Sequence, residues 1–172
     1  MTVGERIELF KVNMPFITED VVNRLSDNGF FVAPASANHH GNYEGGLFDH
    51  SLMVAKTLQE LTCQNRLTWK RPNSPWIIGI FHDICKMDSY KRIIDKYEYN
   101  EDTLYRGHGD KSVIVLSSLV DLTPEEVACI RYHMGAFTDR GDWKYYTNAI
   151  HDFPNVLWTH HADMIASHIK GV

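Results

Sequence analysis

Residues 74–86 read SPWIIGIFHDICK. From Trp76 to Cys85 the segment is apolar nearly all round, which is the pattern of a buried helix. Ser74 followed by Pro75 predicts where it starts, an N-cap with proline in the first turn. The helix then delivers two ionisable residues, His82 and Asp83, side by side at its C-terminal end. An ionised aspartate there is costly unless it is paired or coordinates a metal. An Asp–His hydrogen bond in a satisfied core is the ordinary account of one such dipeptide, so the rest of the chain decides.

Most flanking segments also read as helices. Thr18 is placed to N-cap a helix over 19–28, with Ile17 and Val22 as a hydrophobic staple and Gly29 as the C′ stop. Leu47, Val54, Leu58 and Leu61 fall at helical spacing over 46–62. Two more helices are expected near 110–120 and 124–134, the second opened by a capping box at Thr123-Pro124-Glu125-Glu126. Pro154 starts the last, with Trp158, Ala162, Ile165 and Ile169 on one stripe. Residues 89–106 (SYKRIIDKYEYNEDTLYR) break the pattern. There Tyr97 and Tyr99 alternate with charges around a polar NED turn, which suggests a small β-hairpin. No repeat, low-complexity tract or linker appears, and no heptad persists. The expectation is all-α: a single domain over 1–172, a compact irregular helical bundle with a hairpin near 89–106, on which an N-terminal helical segment (1–35) packs.

A chain of 172 residues suits one domain with a sizeable core. Hydrophobic content of 44% and charged content of 23% are ordinary globular values. No apolar run approaches the roughly 18 residues of a membrane span. The first residues, MTVGERIELFKVN, carry charges where a signal peptide has its apolar region, so a cytoplasmic location is expected. A net charge of −5 disfavours a long nucleic-acid track. Cys63, Cys85 and Cys129 form no C-x-x-C pair, which favours a reducing compartment and excludes a zinc finger. Ten histidines remain to be explained.

His50 lies on the stripe of Val54 and Leu61 and should face inward. His133 follows Cys129 and Ile130 on an expected core face, and Asp163 follows His160 by three on the last helix. Taken singly, each is ordinarily a buried group satisfied by a neighbour. Taken together with His82 and Asp83, five inward-facing His or Asp residues on four helices satisfy one another most cheaply through a cation. Imidazole and carboxylate ligands suit Mn, Fe, Ni, Co or Zn, and leave Mg open. His108 sits between glycines in RGHGD (106–110), where the backbone can come close to a ligand. Lys111 falls in the first turn of the following helix, where a cation opposes the macrodipole unless an anion, a phosphate or Asp110, sits nearby. Lys86, three after Asp83, should project toward the same site.

The order His50, His82-Asp83, Asp163 resembles the HD-domain superfamily of metal-dependent phosphohydrolases. GGLFDHS (45–51) is similar to the first-histidine helix of HD proteins related to the YhaM-type 3′–5′ exoribonucleases, and HDICK (82–86) to the HDxxK form of the signature. GHGDKS (107–112), RYHMG (131–135) and HHADMIAS (160–167) are similar to the remaining motifs of a group of small bacterial and prophage HD proteins. The resemblance covers roughly 36–169 and implies an all-helical fold. It implies His50, His82, Asp83 and Asp163 as ligands of a first divalent metal. His108 and His133 occupy the second-metal positions, with Asp83 bridging. The chemistry implied is phosphoester or phosphoanhydride hydrolysis by metal-activated water, with Asp83 and Lys86 as catalytic residues. Lys86 stands where single-metal nucleotidases place a general-acid glutamate; a lysine suits phosphate binding better, as Lys111 does. His160 and Glu44 are candidates for substrate binding.

The substrate expected is a nucleotide or another small phosphorylated metabolite, with no membrane and no long nucleic acid as partner. A short-oligonucleotide 3′–5′ exonuclease, a non-catalytic nucleotide-binding regulatory module and a metal-stabilised structural domain are the alternatives. Tyr43, Tyr132 or a tyrosine from the 97–105 part of the hairpin is available to stack on a base, although aromatics at such places are more often packing. Related HD proteins are often dimers or larger, and the aromatic N-terminal segment (Phe10, Met14, Phe16, Phe30, Phe31) suits a homo-oligomer interface or the core. His39 and His40 precede the GGL motif and are within reach of the site mouth. His151, His161 and His168 have no assigned role.

Overall fold

A computed structural model describes residues 1–39 and 41–172. The fold is mostly α. Its described helices are α1 (Val3–Asn13), α2 (Glu19–Asp27), α3 (Gly46–Asn65), α4 (Ser74–Phe81), α5 (His108–Ser117), α6 (Pro124–Arg131), α7 (Trp143–Asp152) and α8 (Asn155–Met164), beside one antiparallel hairpin, β1 (Tyr90–Ile93) and β2 (Lys96–Tyr99). Among the described residues no helix is long and apolar enough to cross a membrane.

The twenty-residue α3 is the central post. The short α4 lies against it so closely that a Cβ on Gly79 would stand 2.3 Å from the Cα of Ala55. Phe10, Phe30, Phe31, Phe48 and Phe81 meet edge-on or tilted, with ring centroids 5.3–6.5 Å apart. The N-terminal aromatics are therefore core: Phe10, Met14, Phe30 and Phe31 are buried, and of that group only Phe16 reaches solvent. A partly buried bidentate pair, Arg6 Nε and Nη2 to the Asp49 carboxylate, both 2.9 Å, fastens α1 to α3.

Several local expectations change. Ser74 is not the N-cap of α4; Asn73 is, and the Ser74 hydroxyl donates to the buried carboxylate of Glu126 at 2.8 Å. That carboxylate gathers donors from Arg71 and the Thr123 N–H as well, so burial of a charge outranks a cap. Thr18 caps α2 in position but makes no side-chain cap bond. The Thr123 capping box forms as expected. The hairpin turns at Ile94-Asp95, not at NED, because the pairing Tyr90↔Tyr99 through Ile93↔Lys96 leaves two turn residues and puts Asn100 at the end of β2. Ile94 takes φ +56° there. The expected stripe on the last helix fails at Ile169, which is exposed, because the helix widens into a π-turn over Ile165–Ile169. Helix α7 was not anticipated. It packs Tyr146, Ala149 and Ile150 on the core, an i, i+3, i+4 pattern legible in the sequence.

Candidate metal centre

The buried helix ends one residue before the histidine. α4 stops at Phe81, Asp83 takes φ −105° and ψ 16°, and Ile84–Met87 continues as a 3-10 turn. That bridge-region backbone swings Asp83 and Lys86 to one side, so that Lys86 Nζ lies 2.6 Å from Asp83 Oδ2. α6 ends in a similar way: it stops at Arg131, Tyr132 takes φ −109° and ψ 17°, and His133 follows. The expected helix over 124–134 is thus shorter, with its histidine beyond the end.

At both ends the histidine does the same work. His82 Nδ1 donates to the Gly79 carbonyl at 2.9 Å, and His133 Nδ1 to the Ile130 carbonyl at 2.7 Å. Terminal helix carbonyls lack an intrahelical partner, and these rings supply one. A carbonyl only accepts, so each Nδ1 carries the hydrogen and, in the neutral ring, Nε2 offers its lone pair. His50 Nδ1 likewise donates to the main-chain oxygen of Val172 at 2.8 Å.

The Nε2 atoms converge on two carboxylates. Asp83 Oδ2 is 3.4 Å from His82 Nε2 and 3.7 Å from His50 Nε2, while its Oδ1 is 2.5 Å from His108 Nε2 and 3.4 Å from His133 Nε2. Asp163 Oδ1 is 3.2 Å from His50 Nε2 and 3.9 Å from His82 Nε2. His50, His82, His133 and Asp83 are buried. His108 reaches the cluster because α5 begins on top of the end of α6, where a Cβ on Gly109 would lie 1.9 Å from the Arg131 carbonyl oxygen. Its Nδ1 faces the buried, free thiol of Cys85 at 3.3 Å.

Burial resists ionising Asp83, but Lys86, His82 and His108 overcome it and hold this carboxyl well below its usual range. Burial also opposes ionisation of Asp163, where the His50 contact and His82 prevail and the value again falls. Burial lowers His108. His133, although buried, is raised by Asp83. Burial works against the charge on Lys86, and Asp83 reverses this and raises it. Burial pushes the Cys85 thiol up to about 12.

The residues fit a metal ion. His82 Nε2 and His133 Nε2 are buried and make no hydrogen bond, an arrangement unfavourable in a core without a Lewis acid to accept the lone pair. Three overlapping sets are close enough to share an ion: His50, His82 and Asp83; His82, His133 and Asp163; Asp83, His108 and His133. All six anticipated ligands are therefore brought together.

Asp83, His108 and Asp163 line a cavity of about 810 Å³, while His50, His82 and His133 do not reach its wall. Lys86 and His160 line it as expected, with His160 Nδ1 donating to the His133 carbonyl at 2.8 Å. Glu44 and Lys111 do not line it. Glu44 lies on the surface 3.9 Å from Arg92, and the Lys111 ammonium is buried against Asp88 and 3.4 Å from Ser89 Oγ. Neither Tyr43 nor Tyr132 lines the cavity; Tyr132 packs on Tyr146 in the core. His39 lines the mouth, whereas His40 lies outside the described residues. Lining residues not foreseen include His168, Met134, Phe137 and Met164, and Tyr90 and Asn100 from the hairpin and its end. Of the foreseen hairpin tyrosines, Tyr99 lines the cavity. No family model, curated protein or solved structure matches the chain.

Proposed function

We propose that the chain is a metal-dependent phosphohydrolase of the HD type, acting on a nucleotide or another small phosphorylated metabolite. The observation that carries this reading is the pair of buried imidazole nitrogens, His82 Nε2 and His133 Nε2, aimed at Asp83 in the wall of an open cavity. A purely structural metal site would be closed by protein ligands, whereas this cluster faces a space large enough for substrate. His50, His82, Asp83 and Asp163 would hold one divalent ion, and His108 and His133 with Asp83 a second, drawn from Mn, Fe, Ni, Co or Zn. When bound, such ions polarise a phosphoryl oxygen and acidify water.

The chain's own groups supply the rest. Lys86 stays protonated beside Asp83 and presents its charge to a phosphoryl group entering the cavity. Among the described residues it is the one lysine or arginine lining that cavity. A single fixed cation suits a substrate with one phosphoryl group better than a triphosphate. A groove for an oligonucleotide would carry a row of cations, so the exonuclease alternative has no comparable support. Tyr99 and Phe137 are exposed rings lining the cavity, available to stack on a planar base.

The test measures bound metal, then phosphate release from nucleoside mono-, di- and triphosphates and short oligonucleotides with Mn, Co, Ni or Mg, with Asp83→Ala as control. Inorganic phosphate released from monophosphates is expected. Tripolyphosphate would instead indicate a triphosphohydrolase, and mononucleotides released from oligomers an exonuclease. No turnover above the Asp83→Ala protein on any substrate, with metal bound, overturns the enzyme reading.

A further inference from the structure

Three of the four histidines of the centre are oriented from behind by main-chain oxygens, and one support comes from an unexpected quarter. His82 and His133 rest on carbonyls three residues earlier in their own chain segments. His50 rests on the main-chain oxygen of Val172, 122 residues away in sequence. A contact that distant exists only because residues 163–172 are held in an unusual path.

That path has four fixed points. After α8 the backbone widens into the π-turn Ile165–Ile169, closed by Lys170 N–H to the Ile165 carbonyl at 2.9 Å. Such turns are rare and frequently occur at functional sites. Within it the Ser167 hydroxyl lies 2.9 Å from the Asp163 carbonyl and 3.1 Å from Asp163 Oδ1. Lys170 Nζ then reaches across to α3, 3.0 Å from Thr57 Oγ1 and 3.2 Å from Glu60 Oε2. Gly171 turns the chain at φ +73°, and Val172 N–H returns to the Ala166 carbonyl at 3.1 Å. The Val172 oxygen is thereby presented to His50.

We propose that Ser167–Val172 is a positioning clasp for the metal centre, in which Val172 fixes the ring plane and tautomer of His50, Ser167 steadies Asp163 and Lys170 locks the segment onto α3. The inference rests on the metal-site reading above. Ser167 and His168 line the cavity, whereas Lys170 and Val172 do not, and the clasp acts through two ligands contributed by different helices, α3 and α8. Partners behind a metal-ligating imidazole commonly govern affinity by 10–100-fold when removed. Here the partner is main chain, so the sensitive position is the turn that aims it.

The experiment uses the full chain and two independent readouts: affinity for Mn²⁺ and Zn²⁺ by chelator competition, and the ¹⁵N shifts of the His50 ring in the metal-free protein. Gly171→Pro forbids φ +73° and redirects Val172 without altering any ligand. Its expected effect is a 10–100-fold loss of affinity together with loss of the Nδ1–H signature of His50. Ser167→Ala, which leaves the backbone alone, should weaken affinity severalfold. Ile169→Ala, on an exposed side chain in the same segment, should match the parent. Affinity within twofold of the parent in both Gly171→Pro and Ser167→Ala, with His50 unchanged, overturns the clasp. If Gly171→Pro fails to fold, Ser167→Ala and Lys170→Met decide, and parental affinity in both overturns it. A parent that binds no ion refutes the metal reading. The His50 tautomer would then still show whether Val172 positions the ring.

Discussion

His82 and His108 both direct Nε2 at the Asp83 carboxylate, yet they are held differently. His82 is fully buried at the end of α4 and caps a carbonyl of its own helix. His108 opens α5 after a glycine, its side chain keeps 32% exposure, and its Nδ1 has only a thiol for company. A carbonyl is a strong acceptor that fixes tautomer and ring plane, and sulfur is a weak one. The inner histidines are thus preorganised, while His108 must be ordered by whatever it binds. The same residue type in the same constellation should contribute unequal affinity.

The largest effects should separate the two kinds. Structural zinc sites gain about 10–16 kcal/mol from four ligands, so one preorganised ligand is worth roughly 3 kcal/mol, over a hundredfold in affinity. His82→Ala is expected to lose at least that much, measured by chelator competition. His108→Ala should lose far less at the inner position while lowering the stoichiometry toward one ion. Unchanged stoichiometry in a His108→Ala/His133→Ala double variant would break the two-position reading.

Protons compete unequally as well. His133 is raised by Asp83, and a protonated ring has no lone pair. Metal affinity should therefore climb with pH until pH passes the raised His133 value, by up to about tenfold per unit for each proton released. His108, lowered by burial, gives up its proton at lower pH, so its share of the slope ends first. For the metal-free fold, both aspartates have depressed folded values. The stability they contribute is present above their unfolded pKa near 3.8 and is lost as pH falls through the lower folded values. Thermal midpoints from pH 2 to 8 check this, and a midpoint that held constant below pH 4 would contradict it.

A smaller effect tests the thiol. Cys85→Ala removes the group behind His108 and should weaken binding at that edge by about tenfold at most, leaving His82 and His50 untouched. Cys85→Asn, which offers a carbonyl at a similar reach, should tighten it. Equal losses at both positions would erase the distinction drawn above.

Much of this centre was legible in the sequence. The buried helix 74–81 announced itself by being apolar all round, and a charged residue at its end demanded a partner. Helical stripes turned His50 inward. What could not be read was where helices stop. Both α4 and α6 read as running on through their histidines, and only the bridge-region backbone at Asp83 and Tyr132 shows how His82, Asp83, Lys86 and His133 come to share one face. Contacts behind the ligands were also hidden, because the Val172 oxygen is main chain and carries no residue signature. The cavity walls were missed for a related reason: Phe137 and Met164 sit on segments with no strong periodicity of their own.

The two lysines close the comparison, since sequence spacing gave both a phosphate. Lys86 lines the cavity and Lys111 does not. Lys111 stands four residues into α5, because that helix begins at His108, and its buried ammonium is engaged by Asp88. Lys86→Met should therefore raise KM for a phosphorylated substrate by tenfold or more, in line with about 1.5–3 kcal/mol for a hydrogen bond to a charged group. Lys111→Met should leave kcat and KM within about twofold of the parent. Its cost falls on the fold instead, because the half-exposed Asp88 loses its partner while the Met side chain fills much of the same space. Losing a charged hydrogen bond from a buried ammonium costs about 1–3 kcal/mol, a measurable drop in thermal midpoint. A KM change at Lys111 equal to that at Lys86 would mean that substrate reaches past the hairpin to α5, and would redraw the cavity as one with two cations rather than one.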